Sequence, residues 1–317
     1  MTAPTRESIE IAHQRIAPYI HRTPVMHSQQ INNRFGCDIV FKCENFQKVG
    51  AFKSRGALNA VFSLSETELE KGVCTHSSGN HAQALARAAS LRGIPAYIVM
   101  PENAPKVKVE AVEHYGGRIH FCRPTQEARE KLLAEVMAQT GANLIHPYDN
   151  YQIIEGQATA AKELLEDEKD LDFILAPVGG GGLLAGTALA NHYFGKGSRV
   201  IAAEPELADD AFRSFQDGKI YPANDPQTIA DGLLTALGER NFPIIQERVQ
   251  EIQTVKEESI IEAMRYIWER MKILVEPSAA VPLAAVLERP RFYQNKKIAI
   301  ILSGGNIDLS SVGKLFS

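Results

Sequence analysis

Three stretches of this chain share one grammar: a short apolar, β-branched run, a cluster of Gly, Ser or Asn, then an Ala- and Leu-rich segment with helical period. They read GVCTHSSGNHAQALARAAS (72–90), FILAPVGGGGLLAGTALANHY (173–193) and KIAIILSGGNIDLSSV (297–312). Strands that stop at turn residues and pass straight into helices make βα units, and βα units build a largely parallel sheet whose ligands collect at the strands' C-terminal ends. DIVFKCE, AYIVMP, RIHFCR and RVIAAEP read as further strands, and 6–19, 104–115, 125–140, 153–165 and 257–271 as helices.

With 317 residues the chain exceeds one ordinary domain. No Pro/Gly-rich linker or repeat divides it, so two lobes would be intertwined around a cleft. The expected division is a large lobe of 1–70 and 150–317 with a small mobile lobe, 71–149, that closes over the substrate. A formal charge of -4 gives no electrostatic case for nucleic acid or an anionic membrane. The N-terminal segment is polar, without a signal peptide or spanning run, which predicts a cytoplasmic protein. Cys37, Cys43, Cys74 and Cys122 lie far apart with no CxxC pair, so they read as reduced structural thiols.

Four consecutive glycines, Gly179, Gly180, Gly181 and Gly182, forfeit backbone entropy and need a reason. Between a strand and a helix they let main-chain N–H groups wrap a phosphate at the helix's positive end. Neither G-x-G-x-x-G nor G-K-[ST] is present, so a monophosphate cofactor fits better than a dinucleotide or a nucleoside triphosphate. The loop SSGNHAQA suits a substrate carboxylate, with Asn80 able to donate and accept, although a plain helix cap reads the same way. Ser303 in LSGGNID could hydrogen-bond a ring nitrogen.

Lys53 sits in VGAFKSRGAL, where an ordinary lysine would be solvated. Joined with a monophosphate loop, a carboxylate loop and a hydroxyl for a heteroaromatic nitrogen, it completes the parts needed for pyridoxal phosphate held as a Schiff base. To attack an aldehyde the lysine must be neutral, and Arg55 is a candidate for lowering its pKa by like-charge repulsion, or for scaffolding.

KCENFQKVGAFKSRGALNAV, SSGNHAQALA, VGGGGLLAG, IADGL, VEPSAA and LSGGNIDL together resemble the signature segments of the fold-type II pyridoxal phosphate enzymes, in the serine/threonine dehydratase and serine racemase family. They run in family order from about Lys42 to Leu309. The resemblance implies a two-lobed α/β fold, tryptophan synthase β-like, with mostly parallel twisted sheets flanked by helices. It implies that Lys53 forms the Schiff base, Phe52 flanks the ring, Asn80 bonds the ring hydroxyl, Gly179 to Gly182 hold the phosphate and Ser303 faces the ring nitrogen. Ser77, Ser78, Gly79, Asn80 and His81 would surround the substrate carboxylate; an exposed first-turn residue is the alternative for the His81 ring.

Ser78 points to the serine racemase and 3-hydroxyaspartate dehydratase branch, where a serine is the second acid/base on the face opposite the lysine. The implied activity is α,β-elimination of L-serine, L-threonine or threo-3-hydroxyaspartate to a 2-oxo acid and ammonia, with racemisation through Lys53 and Ser78. Tyr148 and Asp149 are loop candidates for choosing among these substrates. In AAEPELADDAF, Glu204, the Ala208 carbonyl and Asp210 match the family's Mg2+ (or Ca2+/Mn2+) site, and the family suggests a homodimer. Gln29 and Gln30 stand where the vertebrate branch has a serine in the pair, which argues against ATP activation. A β-replacing, cysteine synthase-like enzyme and a non-enzymatic pyridoxal phosphate-binding protein are the alternatives, opposed by the lysine segment and by the presence of both Lys53 and Ser78.

Overall fold

The computed structural model describes residues 3–104 and 106–316. Among these residues ten strands form two sheets: β1 (Val25–His27), β2 (Asp38–Cys43), β3 (Val73–His76), β4 (Ala96–Pro101), β5 (Arg118–Cys122), β6 (Asn143–Leu144), β7 (Phe173–Pro177), β8 (Arg199–Pro205), β9 (Val249–Val255) and β10 (Lys297–Leu302). The larger sheet runs β1-β2-β10-β7-β8-β9 and the smaller β5-β4-β3-β6. Every pairing is parallel except β1 with β2. The fold is therefore the α/β class that the repeated strand–turn–helix grammar implies.

Alternation along the central strands buries both faces of each sheet. In β10, Ile298, Ile300 and Leu302 face a core closed by Glu257–Tyr266 and Pro277–Glu288, while Ala299 and Ile301 face Tyr151–Asp167 and Gly182–Phe194. In β4, Ile98 and Met100 pack against helices Lys53–Phe62 and Asn80–Arg92, and Val99 against Gln126–Thr140. Two-sided burial explains why these strands read as near-continuous apolar runs. All four cysteines are free and buried, as expected.

Some elements depart from the sequence reading. The helix expected over 257–271 is α-helical only to Tyr266; Ile267–Met271 is a π turn, closed by Lys272 at φ 60. Strand β9 and helix Pro277–Glu288 carry no strong signal, the first because VQEIQTV is half polar at a sheet edge, the second because Pro277 and Pro282 read as breakers. Pro277 is tolerated because it occupies the first helical position.

What the topology accomplishes is a gathering of loops. Lys53 follows β2, the glycine run follows β7, Glu204 ends β8, Ser303 follows β10 and Ser77 follows β3. All lie at C-terminal strand ends, the side on which parallel sheets bind ligands.

Candidate active site

Lys53 opens the helix Lys53–Phe62 immediately after an extended Ala51, which forms an antiparallel bridge to Gly304. Phe52 N donates to the Ser303 carbonyl at 3.0 Å. The lysine segment and the Ser303 turn, 250 residues apart in sequence, are thus stitched side by side at neighbouring strand ends. Lys53 Nζ donates to the Pro147 carbonyl at 2.7 Å and lies 5.2 Å from the centre of the Phe52 ring. Burial lowers its pKa from 10.5 to about 8, against the opposing charge of Glu276.

Arg55 does not tune Lys53 by repulsion; that expectation is corrected. Its guanidinium is fully buried and turned into a cluster of four charges, bonding Glu44 at 2.7 and 2.8 Å and Glu163 at 2.8 Å through two nitrogens. Lys42 completes the balance at 2.7 Å from Glu163. Two cations face two carboxylates in a dry interior; the His13 hydrogen bond at 3.3 Å, then Arg55 and Lys42, hold Glu163 well below the carboxylate range despite its burial. The cluster ties the start of the Lys53 helix to Tyr151–Asp167 and is a scaffold.

The glycine run is a turn that only glycine can make. Gly181 has φ +88 and begins the helix Gly182–Phe194, and a Cβ on Gly180 would lie 2.4 Å from the Tyr148 ring. The Gly180 carbonyl accepts from Asn241 Nδ2 at 2.7 Å and from Gly238 N at 3.1 Å. Asn241, which the sequence reading passed over, therefore fixes the loop, and its Oδ1 is buried without a hydrogen-bond partner.

Ser77, Ser78 and Gly79 form the half-buried turn before Asn80–Arg92, with Gly79 N donating to Ser77 Oγ at 3.3 Å. Asn80 Nδ2 donates to both oxygens of Glu276, at 3.0 and 3.1 Å, and its Oδ1 accepts from Asn306 Nδ2 at 2.8 Å. His81 is not an exposed first-turn residue. It is 2 % exposed, its Nε2–H donates to the Ile145 carbonyl at 3.1 Å, and burial holds its pKa well below the usual histidine range. Its Nδ1 is buried with no partner. Asp149 is already committed to Arg240, at 3.2 Å to the guanidinium and 2.7 Å to the main-chain N.

Glu276, at the start of Pro277–Glu288, is a site-lining group that the sequence reading missed. It is 4 % exposed, and a Cβ on Gly304 would meet its Oε1 at 2.6 Å. VEPSAA entered the sequence reading only as one of the signature segments; nothing local signals that a carboxyl points at Asn80.

At the end of β8, Glu204 accepts from Ala211 N at 2.9 Å and Phe212 N at 2.7 Å, capping the helix Asp210–Asp217. Burial, reinforced by Asp210 and Asp209, raises its pKa to about 9; burial raises Asp210 to about 6. Asp210 Oδ2 is buried without a partner, and Ala208 is buried beside it in sequence. Among the described residues no group of three or more His, Cys, Asp or Glu is arranged to hold a metal ion, so any cation here would rest on two carboxylates and neutral oxygens. Among them, too, no helix is long and apolar enough to cross a membrane.

Comparison with known proteins places these loops in context. The profile of the family described as pyridoxal-phosphate dependent enzyme matches residues 16–304. A beta-hydroxyaspartate dehydratase from Paracoccus denitrificans is 48% identical over 312 residues, covering 98% of this chain and 99% of the relative. A serine racemase from Dictyostelium discoideum is 49% identical over 322 residues, covering 100% and 99%. The structure of maize serine racemase superposes with a TM-score of 0.95 at 46% identity, covering 99% of this chain and 97% of that one.

Proposed function

The chain belongs to the family of pyridoxal-phosphate dependent enzymes, and from that premise we propose that it eliminates water from a hydroxyamino acid, giving a 2-oxo acid and ammonia, and racemises serine at the same site. The observation that carries this reading is the meeting of a half-buried lysine of depressed pKa with the Ser303 turn, at the strand ends where the glycine run also lies. L-serine and threo-3-hydroxyaspartate are the proposed substrates, since the full-length relatives are named for activity on them.

The residues fit the cofactor. Gly179 to Gly182 would take its phosphate, because side chains there would strike Leu233, Tyr148 or Ile245 and the open main chain can approach an anion. Lys53 would hold it covalently, Phe52 would flank its ring, Ser303 would meet the ring nitrogen and Asn80 the ring hydroxyl. Bound pyridoxal phosphate supplies an electron sink that makes the Cα proton of an amino acid removable. Ser77, Ser78, Gly79, Asn80 and His81 bind and orient the substrate carboxylate at the start of Asn80–Arg92. Lys53, an appreciable fraction of which is neutral near pH 8, takes the Cα proton, and departure of the β-hydroxyl follows. Ser78, on the opposite face, returns a proton to Cα and so yields the other enantiomer. Both outcomes begin with the same proton loss.

The 71–149 lobe closes over the substrate; Lys108, which pairs with Asp231 at 2.5 Å, links it to the rest of the chain. Glu204, the Ala208 carbonyl and Asp210 hold Mg2+ or Ca2+, favoured by two buried carboxyls with raised pKa and by the partnerless Asp210 oxygen. The protein works as a cytoplasmic homodimer. The deciding experiment assays the purified yellow protein for ammonia and 2-oxo acid from L-serine, L-threonine and L-threo-3-hydroxyaspartate, and for enantiomer exchange of serine. Release from at least one is expected, and none from any of the three would overturn the reading.

A further inference from the structure

Glu276 presents a physical problem that the proposed chemistry does not resolve. A carboxyl group almost wholly withdrawn from water should be paired with a cation or should stay neutral, because the desolvation of an isolated carboxylate is severe. Among the described residues no lysine, arginine or histidine forms an ion pair with it. Its partners are neutral: the Asn80 amide on both oxygens and the main chain of Asn306.

The surroundings say what the charge can act on. The Asn80 amide is pinned from both ends: Nδ2 is held by Glu276, and Oδ1 by Asn306 Nδ2, which also donates to the Val49 carbonyl at 2.7 Å. Glu276 N donates to the Gly304 carbonyl at 3.1 Å, and Gly304 leaves no room for a side chain against its carboxyl. The groups facing it from other elements are Asn80 of Asn80–Arg92, Asn306 after β10, Lys53 of Lys53–Phe62, and the Lys108–Asp231 pair, whose charges oppose each other. Among the described residues Lys53 forms no ion pair, and its segment is bridged at Ala51 to the Gly304 that packs on the Glu276 carboxyl. Glu276 is also the opposing charge that keeps burial from depressing Lys53 further.

We infer that Glu276 is a positioning residue for the reaction: seated against Gly304, which bridges Ala51 two residues before Lys53, it fixes the orientation of the Asn80 amide and sets a carboxylate beside the Lys53 nitrogen. The inference rests on the proposed bond between Lys53 and pyridoxal phosphate. Burial already raises the Glu276 carboxyl to about 7, so its charge is itself conditional, and a proton on Lys53 favours its ionised form.

The test is a pH titration of the visible absorbance of the Lys53-bound cofactor in the holoenzyme, comparing the unmodified protein with Glu276→Gln and Glu276→Asp. Removing a negative charge destabilises a nearby cation, so the deprotonation midpoint in Glu276→Gln should fall by about one pH unit, the shift typical of a nearby charge. Glu276→Asp keeps the charge but draws it back by one methylene, so its midpoint should lie between those of Glu276→Gln and the unmodified protein. A band that titrates unchanged in Glu276→Gln overturns the inference and leaves the role of Lys53 intact. If Glu276→Gln fails to fold, Glu276→Asp still decides: it should titrate lower by a smaller amount because its carboxylate is drawn back by one methylene, and an unaltered midpoint overturns the inference. A band that persists in Lys53→Ala would instead overturn the underlying assignment.

Discussion

The Nζ of Lys53 lies 2.7 Å from the Pro147 carbonyl, so the amine carried by the larger sheet's loops is tied to the chain leaving β6 of the smaller sheet. This hydrogen bond spans the two halves of the site, and it involves the group proposed to take the Cα proton. An N–H donor serves that bond whether the amine is neutral or charged, and burial tips it toward the neutral form.

Lys53→Ala should remove both the visible-edge absorbance of the bound cofactor and all turnover. Spectra and ammonia release from L-serine check the two losses separately. In the unmodified enzyme the acid limb of the rate should rise with pH toward about 8, the value to which burial lowers Lys53, because protonated lysine cannot take the Cα proton.

Ser78→Ala should suppress racemisation by about 10²–10⁴-fold, the usual contribution of a positioned acid or base, while elimination from the L-enantiomer persists. The ratio of enantiomer exchange to ammonia release is the measurement. An unchanged ratio would remove Ser78 from the second face.

Arg55→Ala should destabilise the fold by about 3–5 kcal/mol, because it strands Glu44 and Glu163 without their guanidinium in a dry interior. Denaturant unfolding measures it. Replacing Arg55 with Met should be just as harmful, since the deficit is charge and not volume.

The sequence made the sheet legible and the side-chain networks illegible, for one physical reason. Strands such as β4 and β8 announce themselves in place because two-sided burial forces a local apolar run, and the loops that follow them are forced by chain geometry. For Arg55 the choice between tuning and scaffolding stayed open because its partners lie 11 and 108 residues away, and no local pattern reports which charges the fold will enclose together. Glu276 was missed for the same reason, being 196 residues from Asn80. His81 looked exposed because a first-turn histidine can be, and only the packing of β6's continuation at Ile145 covers it.

The cation proposed at Glu204 and Asp210 has a signature in stability against pH. A carboxyl whose folded pKa is raised binds its proton more tightly in the folded state, so its stabilising effect is complete below the unfolded value and is lost as pH climbs through the folded one. Here the windows run from ordinary carboxylate values to about 9 for Glu204 and about 6 for Asp210. Protein stripped by a chelator should therefore lose stability as pH rises from 6 to 9, by up to about 1.4 kcal/mol per pH unit for a fully titrating group. Magnesium or calcium takes the place of the proton and binds the ionised carboxylates, so the difference in Tm with and without the ion should widen over the same range. Thermal melts at pH 6, 7.5 and 9, each with chelator and with added divalent ion, make the comparison. A gap that is absent at every pH would show that these two carboxyls hold protons and not a metal, and a gap that narrows toward pH 9 would place the ion elsewhere.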